Sequence, residues 1–142
     1  GNAVAAIVQV ECQYLLQLRD NKCGIFFPGH WGCFGGGVEP DESLDKALTR
    51  ELNEELGLDV DAFVARYFTR FEFDLSFAGV APIWRNFYEI TIASTIFPKL
   101  RLREGKDMRL FSAEAILTGA IALTPYDSFA LWLHINRGRL IN

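Results

Sequence analysis

The chain has 142 residues, half of them apolar and 13% aromatic, enough to bury the core of one compact domain and too apolar for disorder. Its formal charge of −4 lacks the basic excess that a grip on polymeric nucleic acid uses. No stretch reaches the roughly 18 uninterrupted apolar residues of a membrane span.

Val4 to Val10 is a short apolar run that predicts a buried strand; without a basic region before it, it does not read as a signal peptide. Tyr14 to Leu18 predicts a second strand, and Arg19 to Lys22 a turn. From Cys23 to Pro40 the chain is a Gly- and Pro-rich loop with a short strand around Trp31 to Phe34. Ser43 is a suitable N-cap for a helix running to Leu56, and Gly57 a suitable stop. Two strands are expected next, Ala62 to Phe68 and Phe71 to Phe77, the second with Phe71, Phe73, Leu75 and Phe77 alternating onto one covered face. Gly79 to Pro82 predicts a turn, Phe87 to Ser94 a strand, Pro98 to Lys106 a polar connection and Met108 to Phe111 a short strand. Ser112 to Leu117 predicts a brief helix. A last helix opens at Thr124, with Pro125 at its first position and Asp127 placed to complete the cap. Strands and helices mix without strict alternation, so the expected architecture is α/β, a mixed sheet packed between helices, in one domain over residues 1–142.

Three cysteines (Cys12, Cys23, Cys33) without a C-x-x-C pair argue against a disulfide framework or structural zinc, and predict reduced thiols in a cytoplasmic protein. Two histidines, His30 and His134, exclude a multi-histidine metal centre. The run Arg50 to Gly57 carries the sharpest signal. On a helix, Glu51, Glu54 and Glu55 sit at i, i+3 and i+4, a spacing at which like charges repel. The apolar stripe is Leu44, Ala47, Leu48, Leu52 and Leu56. Glu51 and Glu55 point into it and Glu54 lies at its edge. Buried carboxylates need compensation, and a divalent cation supplies it.

Gly36, five residues, Glu42, seven residues, then Arg50-Glu51-Leu52-Asn53-Glu54-Glu55-Leu56-Gly57-Leu58 resembles the Nudix box, G-x5-E-x7-R-E-U-x-E-E-x-G-U with U apolar. All seven fixed residues and both apolar positions match. The resemblance implies an α/β/α sandwich with a mixed sheet, and Mg²⁺- or Mn²⁺-dependent hydrolysis of a nucleoside diphosphate linked to another group. It assigns Glu51, Glu54 and Glu55 to the metal cluster, with Glu55 the principal ligand and a backbone carbonyl of Gly35 or Gly36 beside it. Arg50 and Glu42 resemble the pair that positions those acids. A further acid after the central strands is placed at Glu104, with Asp107 its rival. Glu51 or Glu104 is the expected base. Phe34-Gly35-Gly36 stands where many members have Pro-Gly-Gly.

Lys99, Arg101, Arg103, Lys106 and Arg109 form a basic stretch that either holds phosphates or is a solvated face. Tyr126 and Asp127, at the start of the last helix, are candidates for nucleobase contact, with Phe87 or Tyr88 as alternative stacking partners; a capping role for Asp127 is the competing reading. His30 and Cys33 read as bystanders. The expected ligand is a small nucleotide, a nucleoside triphosphate or nucleotide sugar, bound without polymeric nucleic acid or membrane by a monomer or homodimer. A module of the same fold that binds such a ligand without cleaving it is the alternative; retention of every box acid favours catalysis.

Overall fold

The computed structural model describes residues 1–21 and 26–141. Lys22 of the expected turn and Cys23 lie outside them. Its seven strands are β1 (Asn2–Val10), β2 (Gln13–Leu18), β3 (Trp31–Gly32), β4 (Phe34–Gly37), β5 (Val64–Phe73), β6 (Ile83–Ile92) and β7 (Asp107–Phe111); its helices are α1 (Leu44–Leu56), α2 (Ala113–Leu117) and α3 (Pro125–Ile135). All seven strands join one sheet ordered β3-β2-β1-β6-β5, with β7 on β2 and β4 on β1. The β1–β6 pair is parallel and the others antiparallel, so the sheet is mixed as expected.

Strand β1 is central and almost wholly buried, which is why its sequence reads as a continuous apolar run. Its side chains alternate between two cores. Val4, Ala6, Val8 and Val10 meet Leu48, Leu52 and Leu56 of α1. Ala5 and Ile7 face the opposite layer, with Ala130 and Leu131 of α3 and Ile116 of α2. Helices therefore cover both faces, an α/β/α sandwich. Fully burying a side chain such as Leu52 contributes about 2 kcal/mol, and truncating it to Ala costs about 2–5 kcal/mol.

The start and stop of α1 follow its caps. The Ser43 hydroxyl accepts the Lys46 N–H at 3.2 Å. Gly57, at φ 65°, adopts the left-handed turn and donates to the Asn53 carbonyl, while Leu58 N–H reaches Leu52.

Three strand expectations are corrected. The short strand around Trp31 is two, β3 and β4, separated at Cys33, because Trp31–Gly32 pairs with β2 and Phe34–Gly37 with β1. The two strands expected over 62–77 are one. Thr69 and Arg70 supply no turn chemistry and remain paired with Phe87 and Asn86, the extra residue being absorbed as a bulge between Tyr67 and Thr69. This strand stops at Phe73. The Asp74 carboxylate then accepts the Ser76 N–H at 3.0 Å and opens a 3-10 turn, leaving Phe77 exposed rather than on a covered face. Finally, β6 begins at Ile83, directly after Pro82, and ends at Ile92. Among the described residues no helix is long and apolar enough to cross a membrane, and Cys12 and Cys33 are unbridged.

Candidate active site

The antiparallel register of β1 and β4 sets Gly35 opposite Ala5 and Gly36 opposite Val4, which holds the glycine loop over the buried stripe of α1. Backbone approach there is close. A Cβ on Gly35, whose φ is 149°, would lie 2.0 Å from the Val4 carbonyl oxygen. A Cβ on Gly36 would instead lie 2.5 Å from Glu51 Oε1. The loop is thus glycine for two reasons: at 35 to pass its own sheet, at 36 to leave room for a carboxylate.

Glu55 is 2% and Glu51 9% exposed, as the helical stripe predicts. The Gly35 N–H donates to Glu55 Oε1 at 2.9 Å, and Gln17 Nε2 donates to Oε2 at 3.3 Å. Arg50 grips Glu42 through two bonds, Nε to Oε2 at 2.8 Å and Nη2 to Oε1 at 2.9 Å. Its Nη1 donates to Glu51 at 2.9 Å, and Nη2 to the Gly37 carbonyl at 3.0 Å. Glu54 is turned outward, half exposed, 3.4 Å from the same Nη1. Arg50 therefore spans the glycine loop, Glu42 and two of the helix acids. The Glu42 carboxyl is pushed down to about 2, chiefly by its bonds from Arg50.

The acids split electrostatically. Burial pushes the Glu55 carboxyl up to about 8, and the charges of Glu51 and Glu104 add to the rise, against the Gly35 and Gln17 donors. Burial also raises Glu51, with Arg50 opposing. Among the described residues Glu55 has no cationic partner in salt-bridge range, and no three acid, histidine or cysteine side chains stand ready to close on one ion. Glu51 and Glu55 flank the glycine loop while Glu54 stands apart toward Arg50, so the three acids do not converge as a preformed half-shell. The oxygen-only set of Glu51, Glu55 and the adjacent glycine backbone nevertheless suits a hard divalent cation, whose charge would offset the burial and the neighbouring acids that push the Glu55 carboxyl up. Glu104 is exposed, and its charge reaches both buried acids. Its rival Asp107 is engaged by Arg109 at 3.0 Å and by the Met108 N–H.

An open cavity of about 370 Å³ lies along the glycine loop, bordered by Gln17, Arg19, Cys33, Arg85 and Tyr126. A smaller, largely apolar one of about 150 Å³ adjoins it, walled by Phe26, Phe27, Phe73, Leu75, Val80 and Ile83 and sharing Arg85 and Tyr126. Tyr126 thus stands at the junction, edge-on to Phe27 and Phe73. Asp127 does not face either cavity. It is 1% exposed, receiving Arg85 through Nε at 2.8 Å and Nη2 at 3.3 Å, the Cys33 N–H at 2.9 Å and the Thr124 hydroxyl at 2.9 Å. The expected nucleobase contact is corrected, because every approach to this carboxylate is already occupied. The expected cap is corrected too, since the Thr124 N–H donates to Trp31 instead. Burial opposes the charge of Arg85, but Asp127 outweighs that burial and keeps the guanidinium protonated. The guanidinium lies over the rings of Phe87 and Tyr126.

Arg103 is also placed differently. Its N–H bonds the Glu55 carbonyl at 2.8 Å, and its Nη1 the Asn53 carbonyl at 3.3 Å, so it ties off the C-terminus of α1 instead of reaching a ligand cavity. None of Lys99, Arg101, Arg103, Lys106 and Arg109 borders either cavity. Phe87 is core, and Tyr88 lies on the opposite sheet face bonded to Asp45, so neither is free to stack on a base. Cys33 is buried, with its thiol pushed well up by that burial.

Gln17 and Arg85 escape a reading of the sequence. Each leaves one signal: a polar residue on the core-facing parity of an apolar strand, Gln17 with Leu15 and Arg85 with Phe87.

Comparison with known proteins accords with this geometry. The NUDIX domain family matches residues 1–128. The chain belongs to that family. A stretch of 55 residues is 52% identical to proteins called nucleoside triphosphatase NudI from Salmonella arizonae and Salmonella newport. The match spans 38% of this chain and 38% of those curated relatives. The Nudix fold is shared with the MutT protein of Methanosarcina mazei Go1 (TM-score 0.76, 23% identity, 97% of this chain and 94% of that one). It is shared with the E. coli ORF135 protein (0.71, 27%, 99% and 94%). A third match is the NUDIX domain of Shewanella oneidensis NrtR, solved with ADP ribose (0.72, 20%, 98% and 88%).

Proposed function

We propose that this Nudix chain hydrolyses a phosphoric anhydride in a nucleoside diphosphate derivative, a nucleoside triphosphate or a nucleotide sugar, releasing a nucleoside monophosphate-type product. The observation that carries the reading is the pair Glu51 and Glu55, buried against a glycine loop with too little positive charge beside them. Such a pair, against a glycine loop whose other side borders a cavity with Arg19 and Arg85, fits a metal-bound diphosphate. The relatives named as nucleoside triphosphatases, and the fold neighbour solved with ADP ribose, support the substrate class.

Glu51, Glu55 and the Gly35 or Gly36 backbone would hold Mg²⁺ or Mn²⁺, with Glu54 and Glu104 joining them by side-chain rotation. Bound there, the metal would neutralise phosphate charge and act as a Lewis acid. Arg50 opposes the rise that burial causes in the Glu51 carboxyl and holds that side chain by a bond of 2.9 Å. Glu104 is the better candidate for taking the proton from the attacking water, because Glu51 is already committed to Arg50. Tyr126 and the apolar cavity beside it take the base, and Arg85, held by Asp127, borders the passage between base and phosphates. Exposed, unbridged Cys12 suits a reducing compartment, and we place the protein in the cytoplasm.

A panel of nucleoside triphosphates and nucleotide sugars, incubated with and without Mg²⁺ and assayed for monophosphate, tests the reading. Metal-dependent release is expected, and Glu55→Gln should abolish it while the fold persists. Nucleotide binding without turnover under every metal condition would instead identify a sensing module.

A further inference from the structure

Gln17 sits on β2 with the parity of Leu15, on the sheet face that α1 covers, and is 7% exposed. An amide there needs partners. It has two, from different parts of the chain. Nε2 donates to Glu55 Oε2 at 3.3 Å and to the Glu104 backbone carbonyl at 2.8 Å. The Glu104 carbonyl can only accept, so the amide orientation is dictated: turned over, the Gln17 oxygen would face that carbonyl oxygen. The next residue after Glu104 is shaped around the same side chain. Gly105 has φ 85°, and a Cβ there would lie 2.7 Å from Gln17 Cγ and Nε2. Lys106 N–H then bonds the Leu18 carbonyl, fastening the loop to β2.

We propose that Gln17 is a positioning residue, a strut that fixes the outer oxygen of Glu55 and ties the loop bearing Glu104 to the acid helix. The inference rests on the metal-dependent reading of Glu51 and Glu55, and extends it to a residue outside the box. Glu55 Oε1 is set by the Gly35 N–H. Gln17 sets Oε2, so the carboxylate plane is held from both ends. Through the Glu104 carbonyl the same amide holds Glu104 near the two buried acids. A hydrocarbon of equal length would fill the space but leave Glu55 and the loop unregistered. Partners that orient a metal ligand commonly change affinity by about 10–100-fold when removed.

Gln17→Met and Gln17→Leu test this. Mn²⁺ binding is measured on nucleotide-free protein by electron paramagnetic resonance, together with melting and metal-free amide spectra. Both variants should melt near wild type. Mn²⁺ affinity should fall about tenfold or more, kcat should fall with little change in nucleotide KM, and the Gly35 and Gly105 amide signals should shift before any metal is added. Unchanged Mn²⁺ affinity and unshifted Gly35 and Gly105 signals in either folded variant would overturn the strut. Should one variant fail to fold, the other decides. Wild-type protein that takes up no Mn²⁺ would overturn the parent reading instead, an outcome visible before any variant is made.

Discussion

Asp127 is a structural anchor rather than a ligand contact, and one substitution tests this. Asp127→Ala leaves the Arg85 guanidinium, 14% exposed along its side chain, without its counter-charge. Removing one partner of a buried pair costs about 3–5 kcal/mol. The Cys33 N–H and Thr124 hydroxyl lose their acceptor as well, a cost of about 1–3 kcal/mol for each group left unsatisfied, though these overlap with the first. Against a total stability of about 5–15 kcal/mol the loss is severe. At roughly 3 °C per kcal/mol for a chain of this size, melting should fall by about 10 °C or more. Adding Arg85→Met to Asp127→Ala removes the stranded charge and should recover part of the loss. A double-mutant cycle in urea should give a coupling of about 2 kcal/mol or more. An Asp127→Ala variant that melts like wild type while its nucleotide KM rises more than tenfold would refute the anchor, because that combination belongs to a side chain that touches ligand and supports little else.

The Glu55 carboxyl, raised from an ordinary 4.5 to about 8, stays protonated in the folded state where the unfolded chain has released its proton. Its contribution to stability is therefore complete below about pH 4.5 and is lost as pH rises to about 8, by up to about 1.4 kcal/mol per unit. Melts in EDTA should show wild type losing ground to Glu55→Gln across that window, and saturating Mn²⁺ should remove the difference; parallel curves in EDTA would refute it. Burial lowers His134, whose ring is held by Glu89 at 2.7 Å and Tyr14 at 2.9 Å. Acidification below about 6.5 should destabilise the fold through this ring, and His134→Gln should flatten that limb of the melting profile. Gly36→Ala should fold but lose at least tenfold in turnover, since its Cβ displaces the movable Glu51 carboxylate, whereas Gly35→Ala, pressed on the Val4 backbone, should not yield soluble protein. Circular dichroism and a turnover assay on the pair check both.

What can be read from the sequence follows from how local each determinant is. The caps of α1, its stripe and the burial of Glu51 and Glu55 depend on residues within a few turns, so periodicity locates them. Dividing 62–77 into two strands fails because Thr69-Arg70 interrupts the apolar alternation without ending the strand. Continuity across it depends on pairing with β6, which no local pattern reveals. Local pattern misplaces Asp127 and Arg103 for the same reason. Their partners, Arg85 at a separation of 42 residues and Asn53 at 50, are brought in by the sheet order and by the packing of the loop after β6. Charge on a loop or helix start signals that a partner exists, and only the fold says whether it is a substrate or another residue.

That distinction bears on how the site works. Two of the cations expected at phosphate, Arg103 and Arg109, are spent on the α1 terminus and on Asp107, and the basic stretch borders neither cavity. Those that do border the glycine-loop cavity, Arg19 and Arg85, come from β2's end and β6. Positive charge near the ligand is thus sparse, and most of Arg85's is balanced by Asp127. A diphosphate would then bring more negative charge than the cavity can offset, close to two buried acids. Metal and nucleotide should consequently bind cooperatively, each supplying what the other lacks. Titrating Mn²⁺ with and without a non-hydrolysable nucleotide should show mutual tightening of equal factor in both directions. Independent binding would mean that the protein alone neutralises the phosphates, and that the buried acids Glu51 and Glu55 are not what draws metal and nucleotide together.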